Sequence, residues 1–318
     1  CGPTTEELAA FQTATASVAI TSTPLLSPTP LPSPTLVGIS SDQDLTSIIE
    51  SANEGDVITL APGFFSLTHG LNLNKNLTLI GAGSGKTVIT TYMPYSEITT
   101  MLMFSGTGTL TIKGIKIEYA GNDPAAVLYI QSGKVEIEDC ILTGATLSAS
   151  GKQMGVISMA NDATVLIRNS QIAGSLNRID AKNPEEIPGG IFLAGTNELI
   201  LEDSGITDSY IAIYAYGQAQ VTITDSEMKN NYSAVTLLEN ATATISSSTF
   251  SNCSGSCVVT LDESQASISD NTFKDSPEGL AIQATENSKS LINHNTFTNI
   301  MSGVIFMDNV SGEAVDNT

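Results

Sequence analysis

Phe192, Tyr214 and Tyr216 fall at spacings of 22 and then 2 residues along the chain. Side chains alternate across a strand. If Ile191 and Leu193 point inward on one strand, and Ile213 and Ala215 on the next, then Phe192, Tyr214 and Tyr216 point outward. Stacking one such strand on the other sets Phe192 beside Tyr214. Aromatic faces exposed in this way can bind sugar rings. The segment just before the first of these strands adds polar groups: Arg178 and Lys182, two of only 12 Lys+Arg in the chain, beside Asp180, Glu185 and Glu186. The candidate ligand-binding set is therefore Phe192, Tyr214, Tyr216, Arg178 and Lys182. The alternative is an outward aromatic pair that only stabilises its sheet through cross-strand contact.

Other residue patterns are weaker. Gly81-Ala82-Gly83-Ser84-Gly85-Lys86-Thr87 is one residue short of a phosphate-binding loop, with Ile80 where the first glycine should stand. No long helix follows to offer its N-terminus to a phosphate, so a turn between strands is expected. His69 and His294 are far apart, and no Ser/His/Asp set or zinc spacing accompanies them. His294 is expected to be structural. Cys140 is expected to pack in the interior, whereas Cys253 and Cys257 flank one turn and could form a disulfide. No metal site or cofactor is expected, and no catalytic residue can be named.

The elements that must hold the aromatic set are set by a six-residue phrase. It reads aliphatic, any, Asp/Asn/Ser, small polar, any, apolar. Copies begin at Ile167, Leu201, Ile223, Ile245, Ile268 and Ile292, at spacings of 34, 22, 22, 23 and 24. A near-fixed period of this size means one unit stacked many times. Each unit reads as three short strands with a sharp corner at the phrase's third and fourth residues. Such strands bury one side only when stacked in parallel on copies of themselves. The third position, running Asp139, Asn169, Asp203, Asp225, Ser247, Asp270, His294 and Asp316, is too interrupted for a calcium ladder. Before the repeats, Leu45, Ile48, Ile49 and Ala52 make one face of a short helix. Asp44 is its expected N-cap and Gly55 its stop. The helix would cover the open end of the stack. Two coils are long, with extra residues at 143–154 and 174–189, and insertions in a solenoid collect on one face, often the binding face.

The run Leu45 to Phe64, LTSIIESANEGDVITLAPGF, resembles the N-terminal cap and first coil of the pectin-lyase-like superfamily. The corners with Asn271, Asn295 and Asn317 in one register resemble its polar ladder. The resemblance covers residues 44–318. It implies an all-β fold: a right-handed parallel β-helix of nine or ten coils with a short N-terminal capping helix. It also implies that the strand face carrying Phe192 and Tyr214, with its preceding loops, forms the substrate groove. Enzymes of the superfamily use Arg or Lys with calcium-binding acids, or paired Asp residues near a His. Here Arg occurs only at 168 and 178, and no coil shows an Asp-Asp or Gly-His-Gly motif.

Composition narrows the partners. The net charge is −21, which opposes nucleic acid and anionic membrane surfaces. The same charge opposes an anionic polysaccharide unless cations bridge it. No stretch approaches the apolar length of a membrane span. The chain opens Cys1-Gly2-Pro3, as a bacterial lipoprotein does once its signal is removed and Cys1 is to be lipidated. A Pro/Thr/Ser tract follows, of a composition that favours extended chain. Residues 1–40 are thus expected to be anchor and stalk, and 41–318 the β-helix, which stops inside a repeat at Thr318 as a truncated chain would. The expected setting is the extracellular face of a bacterial envelope, with membrane contact only through the lipid. The expected state is a monomer, and the expected partner an extracellular polysaccharide or cell-surface component. Non-enzymatic carbohydrate binding leads. The alternatives are a polysaccharide lyase or glycoside hydrolase, and an adhesin without a small ligand.

Overall fold

A computed structural model describes residues 36–41, 43–91, 100–121, 125–144, 155–174 and 189–318. The chain divides into two units, Cys1–Ser33, which lies outside the described residues, and Pro34–Thr318. The second unit is a stack of parallel coils. One sheet of 12 strands runs the length of the stack, and a second of 18 strands holds the other two faces of each coil. The strands pair in parallel from coil to coil, as repeated units of one direction require.

The phrase explains the stack. Its first position forms an aliphatic column in which Ile167, Leu201, Ile223, Ile245 and Ile268 pair in register. All five are fully buried. The sixth position forms a second column that ends in stacked rings. Phe250 and Phe273 lie 4.8 Å apart and Phe273 and Phe297 5.4 Å apart.

The fourth position is a buried hydrogen-bond ladder. In each coil the backbone N–H donates to the side-chain oxygen of the coil above. Cys140 donates to Ser170 Oγ at 3.0 Å, Ser170 to Ser204 Oγ at 3.1 Å, and Ser204 to Ser226 Oγ at 3.2 Å. Ser226 donates to Ser248 Oγ, Ser248 to Asn271 Oδ1, Asn271 to Asn295 Oδ1 and Asn295 to Asn317 Oδ1. A corner N–H that no strand can reach is thereby satisfied, as a buried backbone donor must be. Cys140 stands in this register, and burial pushes its thiol up to about 11. It is inert at neutral pH.

The third position has a backbone reason that charge alone hides. Asp139, Asn169, Asp203, Asp225, Ser247, Asp270, His294 and Asp316 all have φ between 45° and 59°. Gly114, one coil earlier in the same register, has φ 65°. Asn, Asp and His enter this left-handed region far more readily than other side chains. The expected corner role of His294 follows from the same rule. Asp225→Val should cost about 1–2 kcal/mol in a urea titration, because a β-branched residue is strained there, whereas Asp225→Gly should change stability by less than about 0.5 kcal/mol. Equal costs for the two would refute this account of the corner.

Two expectations need correction. The β-helix does not begin at residue 41: Leu36–Ile39 is already a strand, paired with Val57–Leu60. Ile39 is buried in the core and Val37 packs partly against it. The first three-stranded coil follows the capping helix directly, with Val57–Leu60, Gly63–Ser66 and Leu71–Leu73. The capping helix, Leu45–Ser51, stops before Gly55. Lys75 Nζ donates to the carbonyls of Ala52 at 2.6 Å and Glu50 at 3.2 Å, taking up its last acceptors. Asp44 does cap its start, accepting from Thr46 N and Ser47 N. Leu45, Ile49 and Ala52 are buried.

Gly81 to Thr87 forms a turn leading into the strand Thr87–Thr91. The Thr87 hydroxyl accepts from Ala82 N at 2.9 Å and donates to Ala61 O at 3.1 Å, so it is committed within the stack.

Candidate functional site

The face that carries the aromatic set is built from the strands Ala126–Ile130, Gly155–Met159, Gly189–Leu193, Ile211–Ala215, Ser233–Leu237 and Ser256–Thr260. Their register aligns Tyr129, Ser158, Phe192, Tyr214, Thr236 and Val259 in one outward column. Ile191, Leu193, Ile213 and Ala215 fill the interior, while Phe192, Tyr214 and Tyr216 remain partly exposed. Phe192 and Tyr214 stack with ring centroids 5.5 Å apart and planes 8° from parallel. Tyr216, two residues further on the same side, tilts against both, 5.5 Å from Phe192 and 6.2 Å from Tyr214. Below the pair stands Ser158, whose Oγ accepts from Gly155 N at 3.1 Å; above it stands Thr236, bonded to Ser233 Oγ at 3.1 Å. Short, committed neighbours leave the rings as a ridge.

The aromatic surface is longer than the sequence suggests. Tyr210 and Tyr232 stack at 4.5 Å where the same strands begin. They lie at the corner after the third strand of each coil. Asp208, Asn230 and Asn252 there share positive φ, with Asn230 Nδ2 donating to Asp208 Oδ1 at 3.2 Å and Asn252 Nδ2 to Asn230 Oδ1 at 2.9 Å. Segments 145–154 and 175–188, which precede Gly155–Met159 and Gly189–Leu193 in sequence, lie outside the described residues. Arg178 and Lys182, with Asp180, Glu185 and Glu186, lie outside the described residues. Tyr232 stands 22 residues after Tyr210, one repeat, and that spacing is the signal that could have found the pair.

The opposite end of the face is acidic. Tyr216 leads into the corner residue Gly217, and the same left-handed position is held in later coils by Glu239, Asp262, Glu286 and Asp308. The carboxylates cap the coil below: Glu239 N donates to Asp262 Oδ2 at 2.9 Å and Asp262 N to Glu286 Oε2 at 2.8 Å. Glu239, Asn240, Asp262, Glu263, Glu286 and Asn287 line an open groove of about 550 Å³. Burial first, then the Tyr216 phenol and the carboxylates of Glu239 and Asp262, push the Tyr214 phenol above its ordinary value. The acidic corner and the aromatic ridge are therefore electrostatic neighbours.

The remaining candidates are structural. Arg168 is on the other sheet, its Nε bonded to Glu202 Oε2 at 2.6 Å, and that bond raises its pKa. His69 fastens the cap through Nε2 to Glu50 Oε1 at 2.8 Å, with Thr68 Oγ1 3.3 Å from its Nδ1. Sequence reading left this hydroxyl, imidazole and carboxylate apart. The trio is exposed, with the carboxylate on the histidine nitrogen that would face the nucleophile in a hydrolytic triad. Cys253 and Cys257 form a disulfide across their turn, with Cα atoms 5.4 Å apart. Among the described residues, no group of His, Cys, Asp and Glu is arranged to hold a metal ion.

A family model described as a right handed beta helix region matches residues 155–318, more than half of the chain. The chain belongs to the right-handed β-helix family. Solved structures agree with this fold across most of the β-helix. An alginate lyase from Paenibacillus sp. str. FPU-7 aligns with a TM-score of 0.63 at 14% identity, covering 87% of this chain and 99% of the lyase. The ORF18 protein of Geobacillus virus E2 aligns with a TM-score of 0.60 at 13% identity, over 86% of this chain. This chain spans 61% of the viral protein's length. Pectate lyase Pel9A aligns with a TM-score of 0.51 at 12% identity, covering 89% of this chain and 78% of the lyase. At these identities the likeness is one of fold. A comparison with curated protein sequences finds no match.

Proposed function

We propose that this β-helix is a surface-displayed module that binds extracellular carbohydrate on the ridge of Phe192, Tyr214 and Tyr216. Cys1 carries the lipid that holds it to the envelope, and the Pro/Thr/Ser-rich segment before Leu36 is the stalk. The observation that carries the binding reading is the ring pair itself, two partly exposed, near-parallel faces 5.5 Å apart with a third ring tilted beside them. Apolar sugar faces stack on such rings, and hydroxyl groups then reach the polar residues at either corner. The Tyr210–Tyr232 pair extends the same surface to the corner where these strands begin.

The chain has no tryptophan, and 4 of its 8 tyrosines, Tyr210, Tyr214, Tyr216 and Tyr232, lie on this face, so its intrinsic fluorescence includes a signal from the ridge. Titration with soluble oligosaccharides should give a saturable change, with a Kd in about the micromolar-to-millimolar range. Phe192→Ala should weaken it at least about tenfold, the equivalent of about 1.4 kcal/mol. An unchanged affinity in the variant would sink the reading. The enzyme alternative is tested on the same samples. Neither unsaturated products, followed by ultraviolet absorbance, nor new reducing ends should accumulate from polyuronates or neutral glycans.

A further inference from the structure

We infer that the aromatic ridge and the acidic corner form one surface that takes a cationic glycan, a polymer of hexosamines carrying free amino groups. This rests on the carbohydrate reading above and goes beyond it by fixing the ligand's charge. The two parts are contiguous by register. Leu238 N donates to Ala215 O at 3.0 Å and Asn240 N to Gly217 O at 2.9 Å, so Glu239 sits one coil above the corner that Tyr216 enters. Successive coils lie about 4.8 Å apart, which delivers Glu239, Asp262 and Glu286 at a regular step along the groove. Two of these carboxylates are held in place by the backbone N–H of the coil below, each through one oxygen. Segments 216–218, 238–241, 261–264 and 285–288 contain no Lys or Arg, and Lys289, at the start of the following strand, is the one cation next to them in sequence.

The chemistry then divides between the two parts. The sugar face packs on Phe192 and Tyr214. An ammonium group is attracted both to the carboxylates and to the face of a tyrosine ring, which carries a negative quadrupole. A uronate polymer presents the same ring face but brings its charge against Glu239 and Asp262 and is repelled. An N-acetylated glycan keeps the ring stacking and loses the charge term. The surface thus ranks ligands by charge, whereas the rings alone would rank them by shape.

The test is calorimetry on the full chain with three probes of equal length: a β-1,4-linked glucosamine hexamer, its N-acetylated counterpart and a hexauronate. The glucosamine hexamer should bind at least about tenfold more tightly than the acetylated one in about 50 mM NaCl, and the advantage should largely vanish in about 300 mM NaCl, where surface charges are screened. Asp262→Asn and Glu286→Gln keep the oxygen that accepts the backbone N–H, so the coil should remain folded. They should remove the preference for the free amine, bringing the glucosamine hexamer to the affinity of its acetylated counterpart. Phe192→Ala should weaken both amino-sugar probes. Equal binding of the two amino-sugar probes, both sensitive to Phe192→Ala, would leave the carbohydrate reading standing and overturn this inference. Binding of no glycan would overturn both. Competition by polylysine, with no effect of Phe192→Ala, would mark the corner as a general polycation surface and would also overturn it.

Discussion

Phe273→Ala is expected to lower the stability of the coil stack by about 3–5 kcal/mol. Phe273 is fully buried and is the middle ring of three, between Phe250 at 4.8 Å and Phe297 at 5.4 Å. Its removal takes contacts from both faces at once. The neighbours cannot close the gap, because their strands are tied in register: Phe250 pairs with Phe273, and Phe273 with Phe297. A solenoid is quasi-one-dimensional, so the damage should be local. Hydrogen exchange should rise first in Thr249–Ser251, Thr272–Ala284 and Thr296–Phe306, while the capping helix stays protected. Phe273→Leu should cost far less, since Ile172 and Ile206 hold the same column earlier in the stack. A loss below about 1 kcal/mol for the alanine variant would show that the ring column is not a principal support.

Asn271→Ala is expected to cost about 2–4 kcal/mol, by a different route. Asn271 is 1% exposed. Its Oδ1 accepts from Ser248 N at 2.9 Å, and its Nδ2 donates to Ile245 O and Asn295 Oδ1, both at 3.0 Å. Alanine leaves the Ser248 N–H without its partner in a place water cannot reach. Each such group carries a desolvation penalty of about 1–3 kcal/mol. Asn271→Ser should recover part of the loss, because serine already fills this register at Ser204, Ser226 and Ser248 and accepts the same N–H. Urea unfolding followed by circular dichroism separates the three proteins. If alanine and serine cost the same, the ladder is incidental to stability.

These expectations rest on the part of the molecule that was most legible in the sequence. The aliphatic, small polar and apolar positions of the phrase report directly what each corner buries, because only a narrow set of side chains fits a column repeated coil after coil. The third position was legible only in part. Its residues looked like an interrupted row of acids, while their positive φ values give the actual rule, and Gly114 belongs to the same register without resembling them. The strand Leu36–Ile39 was hidden by the Pro/Thr tract before it. The acidic corner was missed for a related reason. Its register passes through Gly195 and Gly217 before reaching Glu239, so no phrase marks it.

The aromatic ridge was legible because alternation and period together specify which side chains meet. Given inward Ile191 and Ile213, Phe192 and Tyr214 had to be neighbours, and they stack. Tyr210 and Tyr232 follow from the same period but lie just outside the strands, where alternation gives no guide. Arg178 and Lys182 fall in a long insertion outside the described residues. Their part in binding remains a proposal, testable by charge-neutral substitution in the same titrations.

The proposed function places ligand binding on the outward aromatic face and not in the repeat itself. A glycan array comparing the wild type, the Phe192→Ala Tyr214→Ala double variant and a Thr244→Ala control on the other sheet tests it most directly. The account predicts a defined set of bound glycans for the wild type and the control, and loss of that set in the double variant with the fold intact by circular dichroism. Retention of the same glycans by the double variant, or no glycan bound by the wild type, would contradict it.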